Sequence, residues 1–148
     1  KFFKIPYSII RPSAVYGPTD MNNRVSQIFI EKALKGKEIT VQGKKESLDF
    51  TYVEDLVNGI ILSATKKGGI NETFNITRGK AEKLIDFVKI LSKRIKNIKI
   101  KVVTRDSFRP VRGTLSIKKA KKLLNYDSKY SLSDGLRKYL DFLDNFKK

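Results

Sequence analysis

Short β-prone apolar runs alternate with amphipathic helical stretches along almost the whole chain, and this alternation restricts the fold more than any other feature. Ile5-Pro6-Tyr7-Ser8-Ile9-Ile10 is short and apolar with proline near its start, which predicts a buried strand. Arg11-Pro12 closes it, and Tyr16-Gly17-Pro18 marks a loop. Val25, Ile28, Phe29, Ala33 and Leu34 fall at helical spacing, predicting a helix over 23–34 with Gly36 as its stop. Ile39-Thr40-Val41 alternates as a short strand before the turn Gly43-Lys44-Lys45. Phe50, Tyr52 and Val53 predict a further strand leading into a helix over 54–66. Leu56, Val57, Ile60, Ile61 and Ala64 form one broad apolar stripe on that helix.

Beyond Gly68-Gly69 the pattern repeats. Thr73-Phe74-Asn75-Ile76 reads as a buried strand, and Thr77-Arg78-Gly79 as a turn. Leu84, Ile85, Val88, Leu91 and Ile95 predict an amphipathic helix. The run Ile98-Lys99-Ile100-Lys101-Val102-Val103 places lysine at every second position at first, so one face is solvated or lies at a sheet edge. A short lysine-rich helix over 116–124 follows. Ser131-Leu132-Ser133-Asp134 has the form of a capping box and opens a last helix reaching Phe146. Strands alternating with helices, with no repeat and no linker, predict α/β architecture in one unit, 1–148.

The chain has no cysteine and no histidine. That removes disulfides, zinc sites built on those residues, and every Ser-His or Cys-His nucleophile. The acids are scattered, so no metal site is expected. The net charge is +17, yet only eight of the 32 basic residues are arginine. Readers of bases and phosphates lean on arginine for bidentate contacts, whereas dispersed lysine is the mark of a solvated surface. An anionic ligand remains compatible with the charge, and a nucleotide diphosphate fits as well as a polynucleotide. No run of about 18 apolar residues and no leader pattern is present, so no membrane span is expected and a cytoplasmic protein is.

Two segments say more: Ile10-Arg11-Pro12-Ser13-Ala14-Val15-Tyr16-Gly17-Pro18 and Leu48-Asp49-Phe50-Thr51-Tyr52-Val53-Glu54-Asp55-Leu56. In this order and spacing they resemble the NAD-dependent epimerase/dehydratase family, the extended short-chain dehydrogenases that act on nucleotide sugars. Phe74-Asn75-Ile76, Arg109-Pro110-Val111-Arg112-Gly113, Lys119-Ala120-Lys121-Lys122-Leu123-Leu124 and Leu132-Ser133-Asp134-Gly135-Leu136 extend the resemblance over nearly the whole chain. It implies the C-terminal portion of a Rossmann-type enzyme. The last strands of the NAD-binding sheet would then be joined to the small substrate-binding domain, with the N-terminal NAD-binding half absent. A start at Lys1 rather than Met, in Lys1-Phe2-Phe3-Lys4 that reads as the end of a helix, agrees with that expectation.

The resemblance also implies roles. Pro12 and Ser13 would line the reactive end of NAD, although Pro12 alone could simply end a strand. Asn23 and Arg24 would meet a diphosphate at a helix N-terminus, where free N–H groups attract anions; plain N-capping by asparagine is the other reading. Val41 and Gln42 would hold the nucleotide base, unless Val41 belongs to the core with Ile39. Arg109 and Arg112 would clamp the diphosphate with planar guanidinium forks, or else be solvated loop charges. Asp49, Tyr52 and Asp55 are expected to tie loops together. No catalytic residue is assigned.

Three positions depart from the family's pattern: Ala14 where many members have Asn, Leu48 where many have Arg, and Ser116 where an Asp is common. In the family's reaction a Tyr, its pKa lowered by a Lys four positions on, removes a sugar hydroxyl proton while NAD takes the hydride. None of the six tyrosines here is followed four positions later by lysine, and no glycine-rich turn follows a strand. The chain is therefore expected to bind a nucleotide-diphosphate sugar and to lack activity alone. Two other readings stand beside this one: a basic nucleic-acid-binding module, resting on charge, and a non-catalytic interaction domain of epimerase shape.

Overall fold

The computed structural model describes residues 4–146. The reading of Lys1 to Phe3 as a helix tail lies outside those residues.

Proline at position 6 cannot donate to a ladder, and strand β1 begins only at Ser8–Arg11. It pairs in parallel with β6, Glu72–Asn75, Ile10 standing opposite Phe74. Hydrogen bonds from Asn71 N to Tyr7 O and from Ile76 N to Arg11 O carry the pairing one residue further at each end. Three further two-stranded ladders follow. Strands β2 (Val15–Tyr16) and β5 (Thr51–Tyr52) pair in parallel, as do β3 (Ile39–Gln42) and β8 (Ile100–Val103). Strands β4 (Ser47–Leu48) and β7 (Glu82–Lys83) are antiparallel. The helices are α1 (Val25–Leu34), α2 (Val53–Thr65), α3 (Leu84–Ser92), α4 (Lys118–Leu124) and α5 (Leu132–Phe146). The α/β class expected from the alternation is the one observed.

Two apolar clusters hold these elements. The larger gathers Tyr16, Phe29, Phe50 and Phe87 in edge-on and tilted contacts, with Ile39, Val41, Leu91, Leu132 and Leu136 around them. The smaller packs Phe74 and Ile76 of the β1–β6 side against Ile117, Leu124 and Tyr126. Buried carboxylates link loops to this frame, as the sequence led us to expect. Asp55, at the start of α2, accepts from the backbone N–H groups of Lys129 at 2.8 Å and Tyr130 at 3.2 Å. Burial pushes its carboxyl above the usual aspartate range, and those two bonds pull the other way. Next to it, Glu54 accepts from Tyr130 Oη and pairs with Lys138 Nζ at 2.8 Å.

Helix α2 is built inside out. Its buried positions are Asp55, Gly59 and Ser63, while Val57, Ile60 and Ile61 face outward. The broad stripe read from the sequence is thus real as a pattern, but most of it is not turned to the core. The reason is close packing, because a Cβ on Gly59 would stand 2.2 Å from Ile76 Cγ2, so only a glycine admits this approach. The 98–103 run behaves as its lysines foretold. Strand β8 lies at an edge, with Ile100, Lys101 and Val102 exposed. Helix α5 opens as a cap, Asp134 N donating to Ser131 Oγ at 3.1 Å.

Gly135 gives a test of this packing. Alanine in a helix interior is favoured over glycine by about 1 kcal/mol, yet a Cβ here would meet Tyr16 Oη at 2.1 Å and Tyr52 Cδ2 at 3.0 Å. The clash outweighs the helix preference. Gly135→Ala should lower the stability to urea by about 1–3 kcal/mol, and an unchanged or raised midpoint would show that the two tyrosines can yield.

Candidate functional site

A cavity of about 400 Å³ opens where several loops and the start of α1 converge. Ser13 and Ala14, just past β1, form one side. Arg24, Val25 and Ser26 bring the N-terminus of α1 to it. Gln42, at the end of β3, and Glu46, Ser47 and Leu48 form the next wall, with Leu84 behind. Arg105, Arg109, Pro110 and Arg112, from the loop between β8 and α4, close the ring.

The α1 terminus is open. Its cap position is Arg24, which makes no side-chain cap hydrogen bond, while Asn23 sits in the left-handed region at φ 51° and donates its N–H to Gln27 Oε1 at 2.9 Å. Asparagine N-capping is therefore not what the backbone does here. The first N–H groups of the helix are left toward the cavity, a ready anion site. Asp20 stands near it, accepting from Ser26 Oγ at 3.3 Å.

The arginines differ in their pairing. Arg105 Nε lies 2.8 Å from Glu46, and Arg109 Nε 3.1 Å from Asp106. Among the described residues, no carboxylate pairs with Arg24 or Arg112. Two free guanidinium groups and two partly neutralised ones thus surround one cavity. Gln42 Oε1 is buried and, among the described residues, has no hydrogen-bond partner. Gln42 as a residue lines the cavity, although this oxygen is itself screened from solvent.

The root of the arginine loop is fixed by a single buried side chain. Asp49, 0% exposed, accepts from Thr77 Oγ1 (3.1 Å), Gly79 N (3.1 Å) and Leu115 N (3.0 Å). Ser47 Oγ donates to Arg112 O, and Ala81 N to Thr114 Oγ1. Arg112 is therefore held from both sides of the chain that carries it. Tyr16 is unsuited to proton transfer. Its hydroxyl donates to Leu132 O, and burial pushes it well above the usual tyrosine range.

Of the residues singled out in the sequence, Ser13, Arg24, Gln42, Arg109 and Arg112 meet at this cavity. Pro12, Asn23 and Val41 are not in its walls. Pro12 and Asn23 are exposed beside it, and Val41 is 0% exposed in the larger core. The alternation of β3 explains the last case, because Val41 and Gln42 must face opposite ways. Arg105 and Glu46 were missed. The signal was available: three of the eight arginines fall within 105–112 of a chain otherwise rich in lysine.

A family model described as NAD dependent epimerase/dehydratase matches residues 1–77. The chain belongs to that family. An uncharacterized UDP-glucose epimerase, YtcB of Bacillus subtilis, is 33% identical over 147 residues, covering 97% of this chain and 46% of its own length. UDP-glucuronic acid 4-epimerase from Bacillus cereus, solved in complex with UDP-glucuronic acid and NAD, superposes with a TM-score of 0.87 at 29% identity. That match covers 97% of this chain and 47% of the epimerase. The epimerase Mth375 of Methanothermobacter thermautotrophicus superposes at 0.90 with 25% identity, covering 98% and 45%. The chain thus spans about half the length of the relatives it matches.

Epimerases and dehydratases of this family depend on NAD. No glycine-rich turn in the sequence follows a strand to cradle a pyrophosphate.

Asp49→Asn should weaken the fold by about 2–4 kcal/mol, because an amide cannot accept all three bonds and turns a donor toward N–H groups. Chemical denaturation measures this, and a loss below about 0.5 kcal/mol would show that the three contacts are incidental.

Proposed function

We propose that this chain is the nucleotide-sugar-binding part of an NAD-dependent epimerase or dehydratase. One observation carries the reading. Arg24 and Arg112, unpaired among the described residues, face one cavity together with the open N-terminus of α1. A diphosphate carries the charge these groups need, and a guanidinium fork matches its oxygens. In this reading Arg24 and the α1 N–H groups hold one phosphate and Arg112 the other. Arg109 adds charge, and Asn23 shapes the entry to α1. Gln42 turns its carboxamide to the base, while Val41 supports that wall from the core. Ser13 and Pro12 border the reacting sugar and the cofactor.

The chemistry belongs to residues outside this sequence. No tyrosine here has the required lysine partner. NAD, when bound, accepts and returns hydride at a sugar carbon; this chain orients the sugar and screens the diphosphate. The other half of such an enzyme has a place to dock. Among the described residues strand β1 pairs only with β6, and parallel strands in such enzymes are covered on both faces. Tyr7 and Ile9 by β1, and Val57, Ile60 and Ile61 on α2, are the exposed apolar groups that would be covered. Among the described residues no helix is long and apolar enough to cross a membrane. The cytoplasm, where nucleotide sugars are made and used, is the compartment that suits this reading.

A thermal-shift panel tests it, with UDP, UDP-glucose, UDP-glucuronate, GDP- and TDP-sugars, NAD, and a polynucleotide at low and high salt. A nucleoside diphosphate or its sugar at about a hundredfold its Kd should raise Tm by roughly 5–10 °C. A shift with polynucleotide alone, erased by salt, would mean that net charge was the true signal. Arg112→Lys should weaken UDP binding about tenfold while leaving Tm unchanged. The chain alone should turn over none of these sugars, and steady turnover by the purified chain would overturn its assignment as a binding part.

A further inference from the structure

Among the described residues the walls of the cavity hold arginines, other polar groups and the apolar side chains of Ala14, Val25, Leu48, Leu84 and Pro110, but no aromatic ring. A nucleobase offers two flat apolar faces, and aromatic stacking is the common way proteins cover them. One aromatic residue lies within the arginine loop itself, and it is the most exposed large apolar group described: Phe108, 95% exposed.

Its placement follows from the loop's own bonds. Asp106 Oδ1 accepts from Phe108 N at 3.2 Å and from Arg109 N at 3.0 Å, and the Arg105 guanidinium donates to Arg109 O. The segment 105–109 is thus a closed turn with Phe108 at its tip. Its two stem residues, Arg105 and Arg109, are cavity walls. Arg105 in turn pairs with Glu46, and Gly43 N donates to Val103 O, so the stem stands beside the Gln42 end of the cavity and not the Ser13 end. Gln42 is a cavity residue, and its carboxamide oxygen is without a partner among the described residues.

We propose that Phe108 is the base-covering residue of this site: the turn 105–109 folds over the cavity when a nucleotide binds, and the phenyl ring stacks on the base held by Gln42. The idea rests on the reading of the cavity as a nucleotide-sugar site and extends it to a residue outside the cavity wall. Only the tip needs to move, because the root is held through Leu115 and Thr114. The ionic pairs of the stem, Arg105 with Glu46 and Arg109 with Asp106, are the contacts such a movement would exchange for contacts with phosphate.

The full chain has no tryptophan, so Phe108→Trp introduces a single reporter at a position where substitution leaves stability almost unchanged. Its emission would be followed during titration with UDP and with inorganic pyrophosphate, and the affinities of the unaltered chain, Phe108→Trp and Phe108→Ala measured by calorimetry. The proposal expects a saturable emission change with UDP, none with pyrophosphate, and a UDP affinity at least about fivefold weaker in Phe108→Ala with pyrophosphate affinity unaltered. UDP binding to both variants as tightly as to the unaltered chain, with no emission change, would overturn the role of Phe108 and leave the nucleotide site standing. Failure of the unaltered chain to bind UDP at all would overturn both.

Discussion

A carboxylate in the interior is tolerated only when donors surround it, and Asp49 is the group around which this molecule is arranged. Its three donors come from distant parts of the chain: Thr77 and Gly79 after β6, and Leu115 beyond the arginine loop. The residue therefore closes two loops onto the segment between β4 and β5. Phe50 and Thr51, its immediate neighbours, are buried in turn. The wall made by Ser47 and Leu48 and the root of Arg112 share this one anchor. Cavity shape and fold stability are consequently coupled through a single side chain, while the arginines themselves contribute charge and little support.

Much of this was legible in the chain. Helical spacing located all five helices, and the lysines of 98–103 correctly marked an exposed edge strand. The expected family and α/β class agree with the family match and the superposed epimerases. Ends were less legible. The predicted strand from Ile5 starts at Ser8 because proline removes a donor, and the helix predicted through Ile95 closes at Ser92. The two-residue strands β2, β4 and β7 carry no periodic signal at all, since two residues define no period. Arg109 and Arg112, picked out by the resemblance, line the cavity together with the overlooked Arg105. Val41 and Gln42 show what composition cannot resolve. Adjacent strand residues face opposite sides, and only the register of β3 against β8 says which side is the cavity.

The inverted packing of α2 has a related cause. A helix that sets Asp55, Gly59 and Ser63 inward lies unusually close to the layer beneath, because those side chains are small or spent on hydrogen bonds. Its apolar residues are then free for the opposite side. The apolar face of α2 that carries Ile60 and Ile61 is therefore exposed among the described residues.

Among the described residues, the arginine loop divides into a root held by hydrogen bonds across the molecule and a tip bonded only within itself. That division separates two kinds of inheritance. Residues 112–116 are constrained by the fold, whereas 106–111 can change in length or composition without disturbing any long-range bond described here. Ligand preference in a protein of this design can drift or be retuned by changes to six residues, with the scaffold left intact. A natural lineage, or an engineer, would find new specificities there at low risk to folding.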